Sequence, residues 1–439
     1  MDLSSTLQDD LDANSDWFAP TTDAVLSRLE AVEPYRYAQS RNHIEGAVTR
    51  LSPYLTHGLV SVPQVAEFLH RKHRLAIQHK LIYELGWREY FMHMHAHHGE
   101  GILEDLHPGP LPAMTLLDHV PDDIVTATSG IPVIDRSIQT LYDTGYLHNH
   151  ARLWLASYLI HLRKVHWRVG ADWMHALLLD GDLASNHLSW QWVAGTGSSK
   201  AYLFNAENVA RHAPASWHSF NTVIDKDMET IEWMAQSKAT FAQRDDSREP
   251  MVQPTVSHSP PPDVVVDSAF MAERSLVGRE LGFIHPWSLG HAPTGWPDHA
   301  LRVAGFDAQV MQRWPWRHAR WRFVSERMRA LTDDVRMGMP DEWTKALAQA
   351  RAVHVVAHPM FTPWPGVNWV VHEPQKLWPN LEECMPSFSK WWNAVNRSGR
   401  NLGLMLAQIA PPPIQSLQAP QTHPASQALR SPHPPIKPL

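Results

Sequence analysis

A single cysteine, Cys384, in 439 residues leaves no disulfide framework and no cysteine metal site. The chain has no run of about 18 apolar residues, so no membrane span is expected. It has no excess of positive charge either, with a formal net charge of -7. That total does not advertise nucleic-acid binding, although a local basic groove can steer a polyanion despite it. Arg36, Arg41, Arg50, Arg71, Lys72, Arg74 and Lys80 gather in the first quarter, and taken alone they read as a solvated helix face. The opening M-D-L-S-S-T-L-Q-D-D is acidic and lacks a signal-peptide core, so a cytoplasmic protein is expected. Strand-like patterning is nearly missing before residue 250.

What is present is tryptophan. Twenty of them is more than a core needs, because each buried indole N–H wants an acceptor; aromatic packing, stacking or electron transfer would account for them. The apolar share of 44% is ordinary for a chain that buries a real core. The length suits two domains, or one large domain with an extension.

Residues 1–32 read as a lead-in with a helix near Ala24 to Ala31, capped by Asp23. Ser61-Val62-Pro63-Gln64 opens a helix through Arg74. Amphipathic helical spacing then runs over Leu75 to His98, Pro132 to Thr144, His148 to His166 and Ala171 to Leu179. Residues 243–267 turn to Arg, Asp, Ser and Pro and read as a linker. Beyond it, Gly282 to Leu289, Val353 to Ala357 and Gly366 to His372 are short apolar runs bounded by breakers, like strands, and Trp321 to Leu331 is a helical pattern. Alternating strands and helices suggest an α/β layer over 268–400. Residues 401–439 are Pro-rich, and disorder is expected there.

Three polar-aromatic clusters interrupt the apolar helices. Asp180 to Trp192 reads D-G-D-L-A-S-N-H-L-S-W-Q-W. Tyr146 to Arg152 reads Y-L-H-N-H-A-R, and Glu84 to Glu89 reads E-L-G-W-R-E. Burying Asp180 and Asp182 unpartnered would cost several kcal/mol each, so Arg152, Arg88 or a polar cofactor should answer them. Together with T-R-L-S-P-Y-L-T-H-G (Thr49 to Gly58), G-I-P-V-I-D (Gly130 to Asp135) and A-G-T-G (Ala194 to Gly197), these motifs resemble the flavin-binding domain of the DNA photolyase/cryptochrome family. The match runs in order from about Tyr37 to Asn208.

The resemblance implies an all-α FAD-binding domain of photolyase type over 33–242, followed by a smaller α/β, Rossmann-like layer. That layer looks like the family's antenna domain displaced to the C-terminal side, with V-V-A-H-P-M-F-T-P-W-P-G (Val355 to Gly366), Arg320 to Leu331 and the closing Phe388 to Trp392 as its marks. The cofactor implied is FAD, with any second, antenna chromophore unknown. Tyr37, Thr49, Arg50, Leu51, Ser52, Arg88, Asn149, Arg152, Asp180, Asp182 and Asn186 would hold it, Asn186 facing the flavin ring nitrogen N5. Val48-Thr49 stands where the family commonly has Thr-Ser. Glu84 and Asn149 would hydrogen-bond a pyrimidine dimer in DNA, between aromatic walls Trp87 and Trp192, with Arg41 on the backbone. His150 and Leu153 depart from the family's usual arginine and methionine. Trp190 and Trp167 match the first two members of a tryptophan relay. The third is missing, which leaves Trp173 or Trp154 as terminal donor. Glu84, Asn149, Asn186, Trp190 and Trp167 would thus carry a light-driven, FAD-dependent repair reaction in a monomer.

Two other readings compete. His93, His95, His97 and His98 lie beside Glu89, and His93 and His97 share a helix face as zinc ligands do. Without H-E-x-x-H they read as a histidine-rich amphipathic face, and no metal is expected. A cryptochrome-like light receptor that binds flavin and repairs nothing is the alternative function, favoured by the acidic total, His150, the missing tryptophan and the long tail.

Overall fold

The computed structural model describes residues 18–264, 266, 276–293, 295–397 and 399–414. The expected lead-in before Phe18 and the tail beyond residue 414 lie outside them. Among the described residues, no strand precedes Val256.

Local signals start the helices. Helix α1 (Thr22–Glu30) is capped by Thr21, which accepts from Ala24 N; Asp23, the expected cap, sits in the first turn instead. Val25, Leu29 and Val32 are buried, so the expected lead-in belongs to the helical body. Next come α2 (Pro34–Ser40) and the short α3 (Ser52–Thr56). A full capping box of Ser61 and Gln64 starts α4 (Val62–His73). Helix α5 (Lys80–His98) begins later than its apolar spacing suggests, because His79 caps it by accepting from Leu81 N. After the single turn α6 (Asp122–Val125), α7 (Pro132–Thr144) has the expected bounds and ends at Gly145 in the left-handed region. Helix α8 (Asn149–Ser157) passes into a π turn, Tyr158–Leu162. Helix α9 (Trp167–Leu177) starts before Ala171 and stops before Leu179, and α10 (Leu183–Ala194), α11 (Ala206–His212) and α12 (Met228–Gln236) complete the helical part.

The expected linker is not free. Its strand β1 (Val256–Ser257) pairs antiparallel with β4 (Trp316–Arg317). A five-stranded sheet follows, built from β2 (Glu280–Ile284), β3 (Leu301–Asp307), β5 (Val335–Gly338), β6 (Ala352–Val356) and β7 (Trp369–His372). Every pairing in it is parallel, in the order β5-β3-β2-β6-β7. Helices α13 (Ala308–Arg313), α14 (His318–Leu331) and α15 (Pro340–Leu347) lie between its strands in sequence. The first expected strand thus ends at Ile284, not Leu289.

The chain then leaves the sheet and returns to the helical half. Helix α16 (Phe388–Val395) packs on α5, and α17 (Leu402–Ile409) packs on α4. Phe388 to Trp392, expected to close the α/β layer, therefore covers the helical half, and the expected disordered tail begins with an ordered helix. The reason is burial: Phe388, Trp391, Leu402, Met405 and Leu406 complete one apolar core with Leu69, Leu81 and Ile82. That core also takes in Phe306, Trp316, Trp321 and Phe323 of the α/β half.

Candidate functional site

The site is organised by the turn between α9 and α10. Asp182 caps α10, accepting from Ser185 N at 2.7 Å. Its carboxylate also meets Arg88 Nη2 of α5 at 3.4 Å. Burial alone would raise the Asp182 pKa, but Arg88 and the Ser185 N–H hold it well below the usual carboxylate range. Asp180 is buried too and takes both contacts from Arg152 Nη2, at 2.8 and 3.0 Å. Arg152 Nε donates to Leu147 O at 2.7 Å, which fixes the guanidinium. Gly181 between them is required for close approach: a Cβ there would lie 2.5 Å from Arg320 Nη1 and 2.6 Å from His175 O. One turn into α10, buried Asn186 donates from Nδ2 to Ala171 O at 2.9 Å. Two guanidinium–carboxylate pairs and an amide thus converge, polar but charge-balanced.

Other predicted residues flank this centre. Glu84, one turn before Arg88, accepts from Arg41 at 3.4 Å and pairs with Lys80 at 3.3 Å. Burial, and then the charge of Glu84, push the Tyr37 phenol up. In the Thr49–Ser52 loop, Arg50 sits at φ 51° and buried Leu51 donates to Thr49 Oγ1 at 3.4 Å. Helix α3 starts at Ser52 with no side-chain cap on its first turn. Asn149 is exposed at the start of α8. His150 packs edge-on to Trp154 and against His212. Burial, with His212, His43 and Arg41 nearby, pushes its pKa down to about 4. Its Nδ1 is buried without a hydrogen-bond partner. Leu153 is half-buried on the core of α7 to α10. The basic group of the first quarter is partly answered by acids, since Arg36 pairs with Glu33 and Lys72 with Glu30.

Phe388 stacks on the ring of Trp87, one of the two expected aromatic walls, at 4.0 Å and 9°. Trp192, the other wall, is 38% exposed. Trp154, one of the two expected terminal donors, is wholly buried, and its Nε1 donates to Asn208 Oδ1 at 3.0 Å. Trp173 is only partly buried and donates to Gln253 Oε1 at 2.8 Å. Trp190 lies against Gly170, and buried Trp167 donates to Asp105 Oδ1 at 2.6 Å.

Sequence reading missed the residues that close the site from the α/β half. Arg320 is fully buried, donates to Gly181 O at 2.7 Å and feels both Asp180 and Asp182, while burial pushes its pKa down to about 9. Trp314 packs edge-on to His175 and His187. His358, stacked under Trp287 at 5.3 Å, is held neutral by burial and lies within electrostatic reach of Asp182, Arg88 and His95. These residues lie more than a hundred positions from D-G-D, and no local signal links them to it.

Residues 81–216 match the FAD-binding domain of DNA photolyase. They include both arginine–aspartate pairs and Asn186. That stretch of the helical half is thus similar to the flavin-binding domain of the photolyase/cryptochrome family. A deoxyribodipyrimidine photo-lyase of Streptomyces griseus is 32% identical over 163 residues, covering 37% of this chain and 35% of the relative. One from Thermus thermophilus is 32% identical over 197 residues, 42% and 45% of the two chains. A cryptochrome DASH of Gloeobacter violaceus is 30% identical over 184 residues, 40% and 37%. The chain spans less than half the length of these curated relatives. The crystal structure of a bacterial class III photolyase from Agrobacterium tumefaciens is 26% identical, with a TM-score of 0.40 over 45% of this chain and 44% of that one. The photolyase-type domain of this chain fits FAD by its donor set. The dry, paired carboxylates offer acceptors, Asn186 offers an amide, and the Thr49–Ser52 loop with the uncapped start of α3 offers backbone N–H groups.

Proposed function

We propose that this protein is a light-dependent DNA-repair enzyme that splits cyclobutane pyrimidine dimers, with reduced FAD held by the helical half. The observation that carries the reading is the pair of buried forks, Arg152–Asp180 and Arg88–Asp182, meeting one turn from Asn186. When bound, reduced FAD would supply the photoexcited electron that opens the dimer's two ring bonds. The chain does the rest. The two forks set a fixed local field, and Asn186 with Tyr37 and the Thr49–Ser52 loop positions the cofactor. Glu84 and Asn149 hydrogen-bond the flipped lesion, and Arg41 meets the DNA backbone. Trp87 and Trp192 stack on the bases, each worth roughly 1–3 kcal/mol. Trp190 and Trp167 pass electrons inward. His150 and Leu153 shape the lesion's edge of the cavity. The α/β half serves as a displaced antenna-like layer; its strands, numbered within the sheet, run 3-2-1-4-5, the order of doubly wound folds.

One observation favours a second reading. Phe388 stacks on one face of Trp87, which leaves only the other face for a base, as suits a flavin light receptor without repair activity. The test is blue-light irradiation of flavin-loaded, reduced protein with a dimer-containing oligonucleotide. Loss of dimer in light and not in darkness supports repair. A protein that holds flavin, photoreduces and leaves the dimer intact is the receptor. A protein that takes up no flavin sinks both.

A further inference from the structure

The strongest unassigned cluster lies at the far end of α5, away from the flavin-side forks. His93 and His97 stand one turn apart with ring centroids 4.3 Å apart. The loop before α16 lays Cys384 over them, and one donor atom from each of the three lies within 4.8 Å of the other two. The surroundings are equally soft. Cys384 Sγ lies 3.4 Å from His98 Nε2 and 3.9 Å from Met94 Sδ. Both nitrogens of His97 face carbonyl oxygens, His93 O at 2.9 Å and Glu382 O at 3.1 Å. A neutral imidazole can donate only one of these bonds, so one lone pair is set against a carbonyl. His93 Nε2 accepts from Met385 N at 3.0 Å, which requires a lone pair on that nitrogen.

We propose that His93, His97 and Cys384 form a site for a soft or borderline transition-metal ion of the zinc class, with His98 or Met94 completing a tetrahedron. The donor types select such an ion over calcium or magnesium, which want oxygen. Tetrahedral zinc with these ligands spaces them ~3.3–3.8 Å apart, so closure by about an ångström suffices. Binding displaces the thiol proton to solvent, and the thiolate becomes the ligand. The sequence excludes a site made of cysteines. What it hides is that one cysteine, almost three hundred residues on, joins an i, i+4 histidine pair. The ion would pin the 382–385 loop to α5 and hold α16 in place, whatever reaction the helical half performs.

Cobalt(II) is the probe, because a thiolate-to-cobalt charge-transfer band reports Cys384 alone in a chain with a single cysteine. The full-length protein should develop that band, saturating at one ion per chain, and zinc should bleach it. Cys384→Ser should abolish the band. His97→Ala should weaken cobalt binding at least tenfold. Both side chains are exposed, and far-ultraviolet circular dichroism checks that the variants fold. No band in the unsubstituted protein overturns the proposal. So does a band whose titration is unchanged in His97→Ala, since a thiol bridging two molecules would not need the histidine.

Discussion

Glu89 shows how a residue on the functional helix can serve the fold. It sits one position beyond Arg88, and its carboxylate accepts from Leu377 N at 3.1 Å, tying α5 to the segment that follows the sheet. Burial raises its pKa to about 7, against the pull of that N–H, Lys376 and Arg88. The folded protein therefore holds a proton that the unfolded chain releases near pH 4.5. Stability from this group is fully present below the unfolded value and is lost as pH rises through 7. Glu89→Gln keeps an acceptor for Leu377 and cannot ionise. Urea midpoints should fall between pH 5 and 7 in the parent protein by the equivalent of ~2 kcal/mol more than in Glu89→Gln. Parallel pH profiles for the two proteins would count against the buried acid.

Helix α16 decides what Trp87 can do. Phe388 is buried against Trp87, Tyr83 and Tyr90, and a Cβ at Gly86 would lie 2.6 Å from Trp392, so the two helices are closely fitted. Phe388→Ala should cost roughly 3–5 kcal/mol. If lesion binding needs the face of Trp87, the same variant should bind and repair dimer faster than the parent despite its lower stability. Repair that drops in step with the folded fraction would mean that α16 does not gate the wall. This is also where sequence reading fails. The helices α4 and α7 were legible almost to the residue, because capping boxes, early prolines and C-terminal glycines act locally. The forks were legible from D-G-D, since buried carboxylates need partners. Strands β3 (L-R-V-A-G-F-D) and β5 (V-R-M-G) escaped, because β3 lies inside a parallel sheet and lacks clear alternation, and β5, at the sheet's edge, is only four residues long. Phe388 on Trp87 and Arg320 on Gly181 are products of long-range packing, with no trace in their neighbours.

At the scale of the molecule, the two halves share one core and a set of arginine hooks. Arg317 Nη1 and Nη2 donate to Leu141 O and Tyr142 O at 2.8 Å, and Arg320 donates to Gly181 O. Leu141 and Tyr142 are in the last turn of α7, where the helix dipole is negative, so a buried guanidinium there is well placed, although Leu141 O also accepts from Gly145 N at 2.9 Å. None of the described helices is long and apolar enough to cross a membrane, and the large apolar faces are spent on this internal contact. The halves should therefore unfold together. Urea unfolding followed by far-ultraviolet circular dichroism, which weights the helices, and by tryptophan fluorescence, which samples both halves, should give coincident transitions. Arg317→Met keeps the apolar stem and removes the donors, taking the guanidinium from Tyr142 O and leaving Leu141 O with Gly145 N alone. It should lower stability by roughly 2–3 kcal/mol in both signals equally. Two separated transitions, with the variant moving only one of them, would show the α/β half to be an independent passenger, and Arg320 would then have no part in setting the D-G-D turn.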